Sequence, residues 1–267
     1  VPNQREGTTQ QGKTVHANGI DIYYQAFGDG DPLICLHGSM GTGNVWKPYA
    51  APLSQDFYLL LPDARGHGKT VNSGDEISLN SMTDDLAALI DALDLERPFI
   101  CGWSMGGDLG LNLAMRYPDQ VGGLVVGGVI HRLPDTYFAS LQGLGIDGPG
   151  QVNVERAEKN IPQLVALWQA EHVQSPSHWI DLAIQLSFEM YNPNLPSEDD
   201  LKKIKAPTLI VWGDRDQFLP VENAVEMYQL IPNAQLAVIP NADHFVTRSR
   251  VDLFSSLVKE FLSDRKE

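Results

Sequence analysis

Three residues far apart in this chain, Ser104, Asp216 and His244, have the types and the order of a nucleophile, an orienting acid and a base. Ser104 stands in Gly102-Trp103-Ser104-Met105-Gly106, a G-x-S-x-G pattern. The apolar stretch Pro98-Phe99-Ile100-Cys101 leads in, and a helical stretch from Met105 to Arg116 leads out and stops before Pro118. A strand, a sharp turn and a helix would lift the Ser104 hydroxyl off the strand end. There the positive helix N-terminus favours a developing oxyanion. The alternative is a glycine-rich turn without chemistry, and the partners of Ser104 decide between the two.

A serine hydroxyl needs a base to take its proton. Of the seven histidines, only His244 follows every candidate acid in the order Ser, Asp, His. It lies in Asn241-Ala242-Asp243-His244-Phe245, after the last predicted strand. His37 and His67 stand beside glycines in loops, as structural or pocket-lining groups. The acid is Asp216, in Trp212-Gly213-Asp214-Arg215-Asp216. Its rival Asp214 comes directly after Gly213, still turning out of the strand, and Asp243 is too close to His244 in sequence for their side chains to converge. Two backbone N–H donors should hold the oxyanion. Met105, after the nucleophile, is one, and Ser39 in His37-Gly38-Ser39-Met40-Gly41 is the other, with Met40 as the alternative.

The elements needed to position these groups are legible. Gly19 to Phe27, Pro32 to Leu36, Phe57 to Leu61, Pro98 to Gly102, Gly122 to Gly128, Pro207 to Trp212 and Gln235 to Ile239 read as strands. Near-continuous apolar runs such as Tyr58-Leu59-Leu60-Leu61 suit a parallel sheet covered on both faces. Helices alternate with them. Leu86, Leu89, Ile90 and Leu93 share one face behind a capping box at Ser81 and Asp84. A helix from Val221 to Ile231 lies between Pro220 and Pro232, and an apolar stripe from Leu253 to Leu262 follows Ser249 and Asp252, placed as caps. This predicts an α/β fold with a doubly wound, mostly parallel sheet. Residues 131–196 break the alternation and read as an inserted helical cap. The expected organisation is a loose N-terminal tail at 1–12, a core at 13–130 and 197–267, and the cap, all within one domain.

Composition narrows the function. The chain has 267 residues, 34 acidic against 19 basic, for a formal net charge of -15. A basic footprint for nucleic acid is absent, and no apolar run has the length of a membrane span. Its two cysteines, Cys35 and Cys101, fall inside predicted core strands and read as buried thiols, which favours a cytoplasmic setting. The first residue is Val1, so a processed secreted form is also compatible. No spacing suggests a metal or a cofactor.

At these residues the chain resembles the α/β-hydrolase fold superfamily over nearly its whole length. The landmarks are Leu36-His37-Gly38-Ser39, Asp63-Ala64-Arg65-Gly66-His67-Gly68-Lys69-Thr70, the serine turn, Gly213-Asp214-Arg215-Asp216 and Asp243-His244. The resemblance implies an acyl-serine route on small to medium carboxylic esters, lactones included, with water as the second substrate. Within the superfamily the chain is similar to esterases and enol-lactone hydrolases. It also resembles carbon–carbon bond hydrolases of ring-cleavage pathways, although those usually carry a small polar residue where this chain has Trp103. A third reading, a small-molecule receptor on the same fold, retains the same residues. The expected pocket residues are Trp103, His131, Trp168, Phe188, Met190 and Phe245; oligomeric state is open.

Overall fold

A computed structural model describes residues 11–72, 74, 76–246 and 250–263. Strands β1 (Gln11–Ala17), β2 (Ile20–Phe27), β3 (Asp31–Leu36), β4 (Phe57–Pro62), β5 (Phe99–Trp103), β6 (Gly123–Gly127), β9 (Thr208–Gly213) and β10 (Ala234–Ile239) form one eight-stranded sheet. Its order is β1-β2-β4-β3-β5-β6-β9-β10. Strands β1, β2 and β4 pair antiparallel, and every pairing from β4 through β10 is parallel. Connections leave β3 toward β4 on one side and return to β5 on the other, so the crevice between the C-terminal ends of β3 and β5 is a topological switch point, where open α/β sheets bind ligands.

The central strands are buried on both faces, and their residues alternate between two cores. Ile34, Leu36, Leu60, Ile100, Leu124, Val126 and Ile210 face α2 (Leu79–Ala92), α3 (Met105–Arg116) and α9 (Val221–Leu230). Leu33, Cys35, Leu59, Leu61, Cys101, Val125 and Val211 face α1 (Lys47–Leu53) and the C-terminal helix α10 (Val251–Ser263). Cys35 and Cys101 are buried free thiols at paired positions of β3 and β5. Among the described residues, no helix is long and apolar enough to cross a membrane.

Between β6 and β9 the chain forms α4 (Tyr137–Gly143), α5 (Val154–Asn160), α6 (Pro162–Glu171), α7 (His178–Tyr191) and the short α8 (Glu198–Lys202). A small antiparallel hairpin, β7 (Ile146–Gly148) with β8 (Gln151–Val152), interrupts these helices. Trp168, Trp179, Leu182 and Leu186 from this segment join the core cluster on the α2/α3 side of the sheet.

Two local expectations change, and a third falls partly outside the described residues. Gln11 and Gly12, expected in a loose tail, pair with β2 in β1, and residues 1–10 lie outside the described residues. This edge strand is polar because it has one strand neighbour, so it lacks the apolar run of the inner strands. The capping box of α2 is one turn earlier than expected: Ser78 and Ser81 cap each other's backbone N–H groups, while Asp84 accepts from Tyr117 and pairs with Arg116. At α10, Ser249 lies outside the described residues and Asp252 sits in the first turn.

Arg65 anchors the turn after β4. Its Nε and Nη2 reach both oxygens of Asp85 on α2 at 2.7 and 2.6 Å, with both side chains buried. Asn18 adds a third bond to Asp85 at 2.8 Å. Removing one partner of such a pair leaves an uncompensated buried charge. Arg65→Met should therefore cost about 3–5 kcal/mol in urea unfolding, and the Arg65→Met/Asp85→Leu double variant should cost less than the single.

Candidate active site

The chain enters α3 from β5 through a strained turn. Ser104 has φ 56° and ψ -128°, a left-handed region that non-glycine residues avoid. Hydrogen bonds hold it there: its N–H donates to the Gly127 carbonyl at 2.8 Å, and its carbonyl accepts from the N–H groups of Gly107 and Asp108 at 2.7 and 3.0 Å. Glycine is required on both sides. A Cβ on Gly102 would lie 2.0 Å from the Gly106 carbonyl oxygen, and one on Gly106 would lie 2.2 Å from that of Leu36. The turn leaves the Ser104 hydroxyl at a cavity wall and the Met105 N–H at the open start of α3.

The loops after β9 and β10 bring His244 and Asp216 together. His244 Nδ1 is 2.7 Å from Asp216 Oδ2, and the Asp216 side chain is 1% exposed. The other oxygen, Oδ1, accepts from the N–H groups of Phe218 and Leu219, both at 2.9 Å. A carboxylate only accepts, so Nδ1 carries the imidazole proton and Nε2 keeps its lone pair. Of the two rival acids, Asp214 turns elsewhere: its Oδ1 accepts from Ala242 N–H at 3.3 Å. Asp243 bonds within its own loop, to Phe245 N–H. The Trp103 indole N–H donates to the His244 carbonyl at 2.7 Å, tying the serine turn to the histidine loop. The rings of Phe218 and Phe245 flank the imidazole at 5.0 and 5.6 Å.

The loop after β3 faces Ser104. A Cβ on Gly38 would be 3.9 Å from Ser104 Oγ. Three buried histidines fix this loop by its backbone. His37 Nδ1–H donates to the Gly38 carbonyl at 2.9 Å, and its Nε2 accepts from Ala64 N–H. His67 Nε2 accepts from Met40 N–H at 3.3 Å, and its Nδ1–H donates to the Arg65 carbonyl. His172, just beyond α6, donates from Nε2 to the Met40 carbonyl at 3.1 Å and accepts at Nδ1 from Gly68 N–H at 3.0 Å. Ser39 and Met40 both line the cavity, but the Met40 N–H is engaged by His67. The Gly38 carbonyl also takes the Gly41 N–H at 3.2 Å, which turns the Ser39 N–H of the same planar peptide the opposite way. His37 and His67 thus stand behind the loop after β3, outside the lining of the cavity.

The cavity measures about 540 Å³ and is lined by Ser39, Ser104, Met105 and His244 together. Of the expected pocket residues, Trp103, Trp168, Met190 and Phe245 line it. Phe188 does not: it is 55% exposed, on the face of α7 opposite the buried Trp179, Leu182, Ala183 and Leu186. His131 does not either. Its neighbour Ile130 takes the cavity-facing position, and the imidazole turns toward Glu226 on α9.

Sequence reasoning missed Phe218, Asp108 and Glu189, which also line the cavity. Asp108 is one helical turn beyond Ser104, a spacing that signals a shared face. Burial pushes its carboxyl up to about 7, against the opposing Ile130 N–H at 3.1 Å. Burial also raises the Glu189 carboxyl, which accepts from Leu79 N–H at 2.7 Å. Among the described residues, no group of three or more His, Cys, Asp or Glu is placed to hold a metal ion.

The Alpha/beta hydrolase family profile matches residues 33–256, and the chain belongs to that family. A 2-hydroxy-6-oxononadienedioate/2-hydroxy-6-oxononatrienedioate hydrolase of Comamonas testosteroni is 26% identical, with 97% of this chain and 98% of the relative covered. A 2-hydroxy-6-oxo-2,4-heptadienoate hydrolase of Pseudomonas putida is 27% identical, with 94% and 96% covered. Among solved structures, a meta-cleavage product hydrolase of Pseudomonas fluorescens is similar with a TM-score of 0.75 at 26% identity, over 95% of this chain and 98% of that one.

The three histidines carry a pH signature. Burial holds His37, His67 and His172 below the ordinary value of 6.5, His67 furthest, while the Asp63 carboxylate opposes the effect at His37 and His172. A histidine depressed in the fold binds fewer protons than in the unfolded chain. Its stabilisation is complete above about pH 6.5 and is lost as pH falls below it. Asp108 and Glu189, raised in the fold, act in the opposite sense as pH falls through about 7. The histidine contribution is therefore read in an Asp108→Asn/Glu189→Gln background: its Tm should be flat from pH 8 to pH 7 and fall below about pH 6.5, and a Tm that rises there on acidification would contradict these neutral assignments.

Proposed function

We propose that this protein is a serine hydrolase that cleaves neutral carboxylic esters, lactones included, through an acyl-serine intermediate. The observation that carries the reading is the 2.7 Å His244–Asp216 bond beside a cavity that Ser39, Ser104, Met105 and His244 all line. In the first step Ser104 Oγ bonds to the substrate carbonyl carbon and its proton passes to His244 Nε2. The carbonyl π pair moves onto oxygen, where the Ser39 and Met105 N–H groups receive it. Collapse expels the alkoxide, which takes the proton back from the imidazolium. Water then repeats the sequence on the acyl-serine and releases the acid. Asp216 stabilises the imidazolium and fixes the tautomer. The helices between β6 and β9 act as a cap that supplies Trp168, Leu186 and Met190 to the pocket wall.

The cavity's charge favours a neutral substrate. Of the acidic residues in and beside the cap, Glu189 and Asp200 line the cavity, and Asp108 joins them from the core. Among the described lining residues, Arg116 is the only Lys or Arg, and Asp84 holds its guanidinium at 2.7 Å. Two other basic residues near the mouth in sequence are also engaged: Arg65 is buried on Asp85, and Arg132 pairs with Glu226. The second reading is hydrolysis of carbon–carbon bonds in ring-cleavage products, favoured by the names of the relatives. Such substrates carry carboxylates, and among the described lining residues the one Arg is paired with Asp84.

Two experiments test the proposal. Asp216→Asn should lower kcat on p-nitrophenyl acetate by about three to four orders of magnitude through the wrong imidazole tautomer, while Asp214→Asn stays within about tenfold; equal losses would place the acid elsewhere. Neutral p-nitrophenyl esters should be turned over with kcat/KM at least about 100-fold above that for 2-hydroxy-6-oxohepta-2,4-dienoate, with the gap narrowing as salt screens the acidic wall. Faster cleavage of the dienoate at low salt would favour the carbon–carbon reading.

A further inference from the structure

His172 lies outside the cavity lining and just beyond α6, yet it bonds to the loop that faces Ser104. Its ring is buried, with Nε2 3.1 Å from the Met40 carbonyl and Nδ1 3.0 Å from the Gly68 N–H. A carbonyl only accepts and an amide N–H only donates, so these partners select one neutral tautomer. Met40 has φ 58°, an unfavourable conformation for a residue with a side chain. It persists because the two peptides that flank Met40 are held from opposite sides. His67 of the core takes its N–H, and His172 of the inserted segment takes its carbonyl. Ser39, whose N–H is to receive the oxyanion, sits between this clamped residue and the His37-anchored Gly38 carbonyl.

The neighbours of His172 bind the same two loops. Glu171 accepts from the Thr42 hydroxyl at 2.9 Å, Val173 N–H donates to the Gly68 carbonyl at 3.3 Å, and His178 Nε2–H donates to the Gly66 carbonyl at 2.9 Å. The segment 171–178 is thus laid across the loops after β3 and β4. Resting on the serine-hydrolase reading above, we propose that His172 is a positioning residue for the oxyanion hole: its bond to Met40 makes docking of the helical insertion and assembly of the hole one event. The reaction then runs at full rate only when the insertion is seated, although no group of residues 171–178 touches the reacting atoms.

The test compares His172→Ala, His172→Gln, His172→Asn and Glu171→Ala in the full chain. It measures kcat and KM on p-nitrophenyl acetate and Ki for an aliphatic trifluoromethyl ketone, whose hemiketal oxygen occupies the hole. Loss of a whole oxyanion donor costs about 100- to 1,000-fold, so misplacing one should cost about 10- to 100-fold in kcat for His172→Ala. KM should stay within about threefold, and Ki should rise by the factor that kcat falls. Gln can reach the Met40 carbonyl and should recover most of kcat; Asn reaches only the Gly68 side and should not. Glu171→Ala, which removes a different tie to the same loop, should leave kcat within about twofold. Should His172→Ala not fold, the Gln and Asn variants carry the same contrast. A raised KM with unchanged kcat, an unchanged Ki, equal activity of Gln and Asn, or an equal loss in Glu171→Ala would each overturn the proposal. Fluorophosphonate labelling of the wild type at Ser104 separates the two readings: without it both fall, and with it a silent His172 series overturns this one alone.

Discussion

The fold is organised around one backbone constraint, the left-handed conformation of Ser104 between β5 and α3. Such a residue costs about 1–3 kcal/mol and survives only where its surroundings over-determine it. Here the surroundings are the end of β6, the first turn of α3 and two glycines whose replacement would drive a Cβ into backbone oxygens at 2.0 and 2.2 Å. The parallel order of the sheet then does the rest. The strand ends of β3, β5, β9 and β10 all open on the same edge, so the Ser39 amide, the Ser104 hydroxyl, Asp216 and His244 arrive there from four separate stretches of chain.

What the sequence made legible follows from how local the signal is. The inner strands and α3 could be read to within a residue or two, because apolar runs, glycines and prolines are local marks of buried strands and helix ends. The order Ser104, Asp216, His244 was legible because each residue sits in a short motif at a strand end. The choice of Asp216 over Asp214 followed from the direction of the chain after Gly213, and the bond to His244 agrees with it. The losses are contacts between distant segments. Nothing near His172 indicates that its ring will meet Met40 and Gly68, residues more than a hundred positions away. The size of Phe188 suggests a pocket wall, but the periodicity of α7 turns it outward. His131 was displaced in the same way by Ile130.

Buried polarity here has two different physical characters. Behind the loop after β3, three neutral histidines spend both ring nitrogens on backbone groups, a fully satisfied network that fixes a loop with little regular structure of its own. Inside the cavity, Asp108 and Glu189 each accept a backbone N–H and are pushed up by burial. Protonated, such a carboxyl can donate a hydrogen bond to a substrate oxygen; ionised, it repels an anion. The ionised state disfavours an anionic acyl group, whereas the protonated state donates to a neutral or an anionic oxygen alike, so the proposed preference for neutral esters rests on the ionised carboxylates.

The central claim is a covalent acyl group on Ser104. Rapid acid quenching of the protein mixed with excess p-nitrophenyl butyrate, followed by intact mass and peptide mapping, measures it directly. The account predicts a butyryl adduct on the peptide that contains Ser104, formed during the first turnover and lost once substrate is exhausted. Turnover with no adduct at any quench time and no burst of nitrophenol, or an adduct mapped to a residue other than Ser104, would contradict it.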